Sequence, residues 1–198
     1  MQLNMLFPTP VGEFSIGRPF TDQEIEFVKG QIVVPNNCNK ISKNKTVLDS
    51  NVFSDIRTFL DTCVAEYFTT VYKPMYDVKL KITQSWFNYT NTNESHHSHA
   101  HQNSFLSGVF YIQTDATDKL HFATGAYRQL EIVSSEHNIY NSNSWWLPAV
   151  SGKLLLFPSY LIHYVAPVVA DNIRISLSFN TFPVGQLGHA EGTTGAFV

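Results

Sequence analysis

Charge is scarce in this chain. Only 15% of its 198 residues are Asp, Glu, Lys or Arg, against roughly 25% in an average soluble domain. The formal net charge is −3, and no stretch is basic, so no nucleic-acid partner is expected: nothing here grips phosphates irrespective of sequence. Cysteine is almost missing. Cys38 and Cys63 are the only two, which excludes a disulfide-built scaffold and favours a reducing compartment. No apolar run approaches the ~20 residues of a membrane-spanning helix. The opening Met1-Gln2-Leu3-Asn4-Met5-Leu6-Phe7-Pro8 has neither the basic start nor the apolar core of a secretory signal. The expectation is a soluble cytoplasmic protein with no membrane partner. Internal repeats are absent as well.

Aromatic residues are plentiful: they make up 14% of the chain, with 15 Phe and 9 Tyr. With many Asn, Ser and Thr, they favour β-structure over helix. A chain of this length can bury roughly 70% of its unfolded surface, so one domain over 1–198 needs no staples.

Helical signals are confined to the N-terminal part. Phe7-Pro8-Thr9-Pro10-Val11-Gly12 reads as a short extended piece bounded by prolines. Thr21-Asp22-Gln23-Glu24 has the form of a capping box, and Ile25, Phe27 and Val28 follow it, predicting a short helix. Asn36 to Ser50 is polar and loop-like. From Asn51 to Tyr72, apolar residues at spacings of three and four (Val52, Phe53, Ile56, Phe59, Leu60, Cys63, Val64, Phe68) predict a longer helix. After Pro74 the period becomes two. Val78–Ile82, Ser85–Tyr89, Leu106–Ile112, Leu154–Phe157 and Ile173–Phe182 are the predicted strands. The expectation is a mainly β fold: an N-terminal strand and helices (1–75) packed on a jelly-roll core (76–183), then a glycine-rich mobile tail (184–198).

The residues suited to chemistry are histidines. His99 and His101 are one residue apart, so on an extended segment both imidazoles project to one side. A distant His163 can complete a three-ligand face on a metal and leave other positions open. Four histidines in six positions (His96, His97, His99, His101) also fit a solvated polar loop. The register to Leu106-Ser107-Gly108 favours the later pair and makes His96 and His97 dispensable. On the last strand Arg174, Ser176, Ser178 and Asn180 share one face, and Ile173, Ile175, Leu177 and Phe179 the other. The polar face is either wet or turned inward, where Arg174 pairs with a carboxylate in two-point contact and Ser176 adds a hydroxyl.

The order His99-Ala100-His101, then His163, then Arg174-Ile175-Ser176 resembles the Fe(II)/2-oxoglutarate-dependent dioxygenases. Leu106-Ser107-Gly108-Val109-Phe110-Tyr111, Leu156-Phe157-Pro158-Ser159 and the opening Leu6-Phe7-Pro8-Thr9-Pro10 are similar to a small bacterial and phage branch of that superfamily. The resemblance implies a double-stranded β-helix, a jelly-roll barrel of cupin-like form with the metal in its mouth. It implies Fe(II) held by His99, His101 and His163, and 2-oxoglutarate held by Arg174 and Ser176, with Asn88 as a further candidate. The implied reaction uses O2, releases succinate and CO2, and hydroxylates a small molecule or peptide; a homodimer is compatible with it. His101 departs from the Asp or Glu usual at that position and leaves the iron site more positive by one charge.

Two other readings stay open. A cupin-type metal protein would share the barrel, and Gly152, Pro158 and His163 fit its second block. Tyr160 stands where that block has glycine, however, and Gln102-Asn103-Ser104-Phe105-Leu106 lacks its glutamate. A jelly-roll binding or structural module would suit the low charge. Between Asp115 and Gly152 lies a polar excursion with Trp145 and Trp146, either a substrate-covering loop or a plain connection.

Overall fold

One strand organises the molecule. In the computed structural model, which describes residues 1–125, 130, 132–189 and 191–198, the segment Arg174–Leu187 is a 14-residue strand in the middle of the larger of two sheets. Numbered in chain order, the strands are β1 (Gly12–Ser15), β2 (Val33–Pro35), β3 (Lys40–Ser42), β4 (Val78–Thr90), β5 (His96–His99), β6 (Leu106–Gln113) and β7 (Lys119–Ala123). They continue with β8 (Ser144–Pro148), β9 (Lys153–Pro158), β10 (Ile162–Val165), β11 (Arg174–Leu187) and β12 (Ala196–Phe197). The larger sheet runs β1-β9-β6-β11-β4-β3-β2, with β12 paired on β11; the smaller runs β5-β10-β7-β8. The pairing is antiparallel throughout both sheets.

The period-two pattern of β11 is satisfied on both faces. Ile175, Leu177 and Phe179 point to one side and join a core with Phe87, Phe110, Leu154 and Leu156 of neighbouring strands. Ile56, Leu60, Cys63, Val64 and Tyr67, all on helix α2 (Ser54–Tyr72), close that core from outside. Helix α1 (Asp22–Lys29) starts with the expected capping box: Thr21 and Glu24 bond reciprocally, and the buried Glu24 carboxylate also takes two hydrogen bonds from Arg18. On the opposite face Val109 and Tyr111 of β6 and Leu155 and Phe157 of β9 meet Leu120 and Phe122 of β7 and Val165 of β10. The two sheets therefore face each other across a second core. The fold is mainly β with helices on one outer face, as expected, but the sheets share no ladder among the described residues, so the jelly roll is not a closed barrel.

Several boundaries differ from the sequence reading. Val78–Ile82 and Ser85–Tyr89 form one strand, β4. Its register against β11 slips between Asn180 and Thr181, where Gln84 and then Ile82 are the partners. The extra residue is a bulge, and it explains why the apolar residues fall on even positions up to Ile82 and on odd ones from Phe87. Asn36–Ser50 is more than a loop: it contains β3, which pairs with β2 just before it and adds to β4, and two short 3-10 turns precede α2. Lys40-Ile41-Ser42 is too short a strand, with a single apolar residue, to announce itself by alternation. The opening extended piece becomes a strand only from Gly12. The expected mobile tail begins as the end of β11 and returns as β12, with Gly185 and Val198 exchanging backbone hydrogen bonds. Among the described residues no helix is long and apolar enough to cross a membrane. Both cysteines are free thiols, Cys38 exposed and Cys63 buried.

Gly108 is required by packing. It sits opposite Phe179 in the β6–β11 ladder, and a Cβ there would lie 2.1 Å from the Phe179 ring, which is fully buried. Gly108→Ala must displace that ring or the strand. Overpacking of this kind costs about 2 kcal/mol, which should lower the thermal unfolding midpoint by roughly 4–8 °C. An unchanged midpoint would mean that the ring has room to move.

Candidate metal centre

The inner face of the sandwich divides into a dry half and a polar half. The dry half lies between β6, β9 and β7. The polar half lies under β5 and β10, where the inward side chains of β11 are Arg174, Ser176, Ser178 and Asn180. Arg174 and Ser176 are 2% and 3% exposed, so the polar face of β11 is turned inward rather than wet.

Three imidazoles meet at the mouth of that half. His99 ends β5, and His163 is opposite it in the β5–β10 ladder. His163 thus lies on a strand of its own rather than in a turn after β9. His101 is just beyond β5, its backbone N–H pinned to the Ser159 carbonyl at 2.9 Å. The ring centroids are 4.5 Å apart for His99–His163 and 5.0 Å for both other pairs. One nitrogen of each lies within 4.8 Å of the others.

Which nitrogen each ring offers is set by its other hydrogen bond. His99 Nδ1 donates to the His97 carbonyl at 2.7 Å, and His163 Nδ1 donates to the Leu161 carbonyl at 2.9 Å. His101 Nδ1 donates to Asn180 Oδ1 at 2.5 Å, and Ser107 ties Asn180 to Ser159 behind it. A neutral imidazole carries one proton, so all three Nε2 atoms keep bare lone pairs. Burial holds His163 down to about 3 and lowers His99 and His101 too, so all three rings stay unprotonated acceptors near neutrality. His99 Nε2 and His101 Nε2 nevertheless stand 3.1 Å apart. Two acceptors at that distance repel unless a cation lies between or beside them. The donor set fits a divalent metal that accepts imidazole nitrogen.

Beside the imidazoles is a cavity of about 90 Å³ lined by Trp86, Asn88, His96, Arg174, Ser176 and Ser178 among others. Arg174 is only partly satisfied. Its Nη1 donates to the Lys119 carbonyl at 2.9 Å, and Asp118, equally buried, lies 3.8 Å away, beyond hydrogen-bond reach. Arg174 Nε has no partner, nor has the Tyr111 hydroxyl, which burial raises to about 12. A buried donor without an acceptor is rare, and Arg174 Nε, on a residue that lines the cavity, marks this end as suited to an anion. Asn88 also lines the cavity, but its amide is engaged: Nδ2 donates to Ser178 at 2.9 Å and Oδ1 accepts from Trp86 at 3.3 Å.

Sequence reasoning missed three contributors. Asp118 lies outside every motif, and no local pattern could pair it with Arg174. Asn180 was visible on the polar face of β11 but without a role. His96, expected to be dispensable for the metal, lines the cavity, as does the exposed His97, whose ring stacks on His99 at 4.6 Å. The tryptophans part company. Trp145 and Phe122 are opposite each other in the β7–β8 ladder, as are Trp146 and His121. Trp145 thus shares the inward side of Phe122, while Trp146 turns outward beneath the Lys119 ammonium at 3.8 Å. Trp145 lines a larger cavity of about 740 Å³ with Val11, Tyr160, Leu161 and Ile162. The Asp115–Gly152 excursion thus supplies two paired strands; its residues 126–129 and 131 lie outside the described residues.

Comparison with known proteins agrees with this geometry. Residues 84–180 match the family described as "Putative 2OG-Fe(II) oxygenase". None of the curated protein sequences matches. Among solved structures the chain is similar to HygX from Streptomyces hygroscopicus, crystallised with nickel and 2-oxoglutarate, at 12% identity and a TM-score of 0.60, over 87% of this chain and 82% of that one. It is similar to a prolyl-4-hydroxylase from Pseudomonas putida at 13% identity and a TM-score of 0.56, over 87% and 92%. A third is an oxidoreductase of the 2OG-Fe(II) oxygenase family from Burkholderia pseudomallei, at 12% identity and a TM-score of 0.58, over 86% and 83%. At these identities the likeness is one of fold.

Removing one imidazole should remove the metal. His99→Ala and His163→Ala are expected to abolish stoichiometric Fe(II) binding while the far-ultraviolet circular dichroism stays unchanged. Asn180→Ala should retain the site but weaken Fe(II) binding by about 10–100-fold, the usual effect of losing a group that orients a ligand. Metal content equal to wild type in both histidine variants would exclude the centre.

Proposed function

The chain belongs to the 2OG-Fe(II) oxygenase superfamily, and from that premise we propose that it is an Fe(II)- and 2-oxoglutarate-dependent hydroxylase of a small-molecule or peptide substrate. The observation that carries this reading is the convergence of three bare Nε2 atoms beside a cavity whose buried arginine keeps an unpartnered Nε. When bound, the metal and 2-oxoglutarate supply the oxidising chemistry, with O2 consumed and succinate and CO2 released.

The protein's own groups have simpler tasks. His99, His101 and His163 hold Fe(II), each fixed in tautomer by an oxygen acceptor on Nδ1. Arg174 takes the distal carboxylate of 2-oxoglutarate and Ser176 adds a hydroxyl; Asn88 helps to shape the same cavity. The Lys119 carbonyl and Asp118 keep the guanidinium from swinging away, so orientation is prepared before the ligand arrives. A cupin-type metal protein without 2-oxoglutarate would leave the buried, under-satisfied Arg174 without a purpose. A purely structural jelly roll would do the same for the facing imidazoles.

The small cavity suits a compact co-substrate, so the substrate needs other space. The larger cavity borders Leu161 and Ile162, next to His163 in sequence, and is mostly apolar. Trp145 lines it and Trp146 does not, which favours the first as the substrate contact. Hydroxylation is the outcome proposed here. Similar folds also serve an epimerase and a carbocyclase from nogalamycin biosynthesis.

Two outcomes test this reading. Fe(II)-loaded protein should convert 2-oxoglutarate to succinate in air, and Arg174→Ala should weaken 2-oxoglutarate binding by about 30-fold or more, since an unpaired buried carboxylate costs roughly 2–5 kcal/mol. Arg174→Lys should rescue poorly, because an ammonium cannot make the planar two-point contact. Equal affinity in wild type and Arg174→Ala, measured by calorimetry, would remove the co-substrate assignment. For a substrate identified by its gain of one oxygen in mass spectrometry, Trp145→Ala should lower the ratio of oxidised product to succinate, and Trp146→Ala should leave it near wild type. The reverse order would move substrate contact to the outer face.

A further inference from the structure

β5 departs from regular alternation where chemistry is nearest. Its ladder with β10 pairs His99 with His163 and His96 with Val165, so three steps on β5 oppose two on β10. Residues three apart on a regular strand point to opposite faces. The extra residue is a bulge, a device that re-aims side chains beside functional sites. Here it turns both His96 and His99 inward: His99 to the metal centre and His96 into the cavity that Arg174 and Ser176 line.

His96 is held there by a built polar relay. Its Nε2 lies 2.7 Å from Thr90 Oγ1 and 3.2 Å from Asn39 Nδ2. Asn36 Nδ2 donates to Asn39 Oδ1 at 2.9 Å, and the Asn39 amide nitrogen also donates to the Lys40 carbonyl. An amide nitrogen is only a donor, so His96 Nε2 accepts and the ring proton sits on Nδ1. No hydrogen bond of His96 Nδ1 occurs among the described residues. Thr90 is also the cross-strand neighbour of Arg174, which puts His96 over the Arg174 end of the cavity. Burial, then the Arg174 charge, bring His96 down to about 3, so it is a neutral donor at physiological pH.

We propose that His96 is a third anchor for the distal carboxylate of the co-substrate, donating from Nδ1 beside Arg174 and Ser176. The inference rests on the proposed use of 2-oxoglutarate and adds a residue from the smaller sheet to two from the larger. A dicarboxylate would then be clamped between the sheets rather than lie on one of them. The β2–β3 hairpin gains a purpose as well, since it supplies the Asn39 that fixes the tautomer of His96.

The test compares two acids that differ only at the distal end. Fe(II)-loaded protein is titrated calorimetrically without O2, once with 2-oxoglutarate and once with 2-oxobutyrate, which lacks the distal carboxylate. His96→Gln retains a polar group near Thr90 but has no donor in the place of Nδ1. It should weaken 2-oxoglutarate binding by about 10-fold or more, as expected for one hydrogen bond to a charged group, and leave 2-oxobutyrate within twofold. His96→Asn, whose amide can occupy the place of Nδ1, should stay within about threefold of wild type for both acids. Metal stoichiometry and the unfolding midpoint of each variant identify loss of fold. If His96→Gln weakened both acids equally, or neither, the anchor would be overturned, while the loss of selectivity in Arg174→Ala would still uphold the co-substrate reading. If wild type itself bound the two acids equally, that reading would fall and the anchor with it.

Discussion

The structure depends on the first part of β11, Arg174–Phe179, being buried on both faces. A strand in the middle of a sheet, with helices on one side and a second sheet on the other, has no solvent side. Its apolar residues Ile175, Leu177 and Phe179 meet α2 and the neighbouring strands. Its polar residues Arg174, Ser176 and Ser178 are equally buried and must find partners within the sandwich, because an unpaired buried polar group costs about 1–3 kcal/mol. Asn88 answers Ser178, and the Lys119 carbonyl answers part of Arg174. What remains unanswered marks where a ligand belongs. The helices thus bear on function indirectly: by covering the apolar face they leave the polar face no exit but inward.

Around the imidazoles, every acceptor is neutral. Two backbone carbonyls and one amide oxygen receive the Nδ1 protons, and among the described residues no carboxylate touches the three rings. A divalent ion held by three neutral imidazoles keeps its full double charge, where two histidines and a carboxylate would reduce it by one. Such a centre attracts an anionic co-substrate more strongly and holds a cation less strongly. Asn180 compensates in part by orienting His101. The hydroxyls of Ser107, Ser159 and Ser104 in turn link into a short chain behind it, so the ring cannot rotate without breaking several hydrogen bonds.

The two cavities differ in size and lining. The small one is polar and lies between β5, β10 and β11; the large one opens at the edge where β1 and β8 stand apart. A closed barrel would have had only a mouth to offer. Because the sheets are not joined at that edge, apolar side chains from β1, β7, β8 and the turn after β9 can line a cavity beside the strand that carries His163.

Much of this was legible in the linear sequence. Side-chain alternation is a property of the backbone alone, so the two faces of β11, the capping box before α1 and the apolar stripe of α2 follow from residue order. The order His99, His101, His163, Arg174, Ser176 likewise pointed to one chemistry. Alternation could not say whether the polar face of β11 was wet or buried, because that depends on what packs above it. Nor could it reveal the bulges. An extra residue in β4 or β5 is defined only against its partner strand, and the one in β5 turns His96 from a surface residue into a cavity-lining one. Asp118 beside Arg174 and Asn39 beside His96 are contacts between segments far apart in the chain. Local pattern determined which side chains share a face; only the stacking of the two sheets decided which faces meet, and so where the polar groups had to find each other.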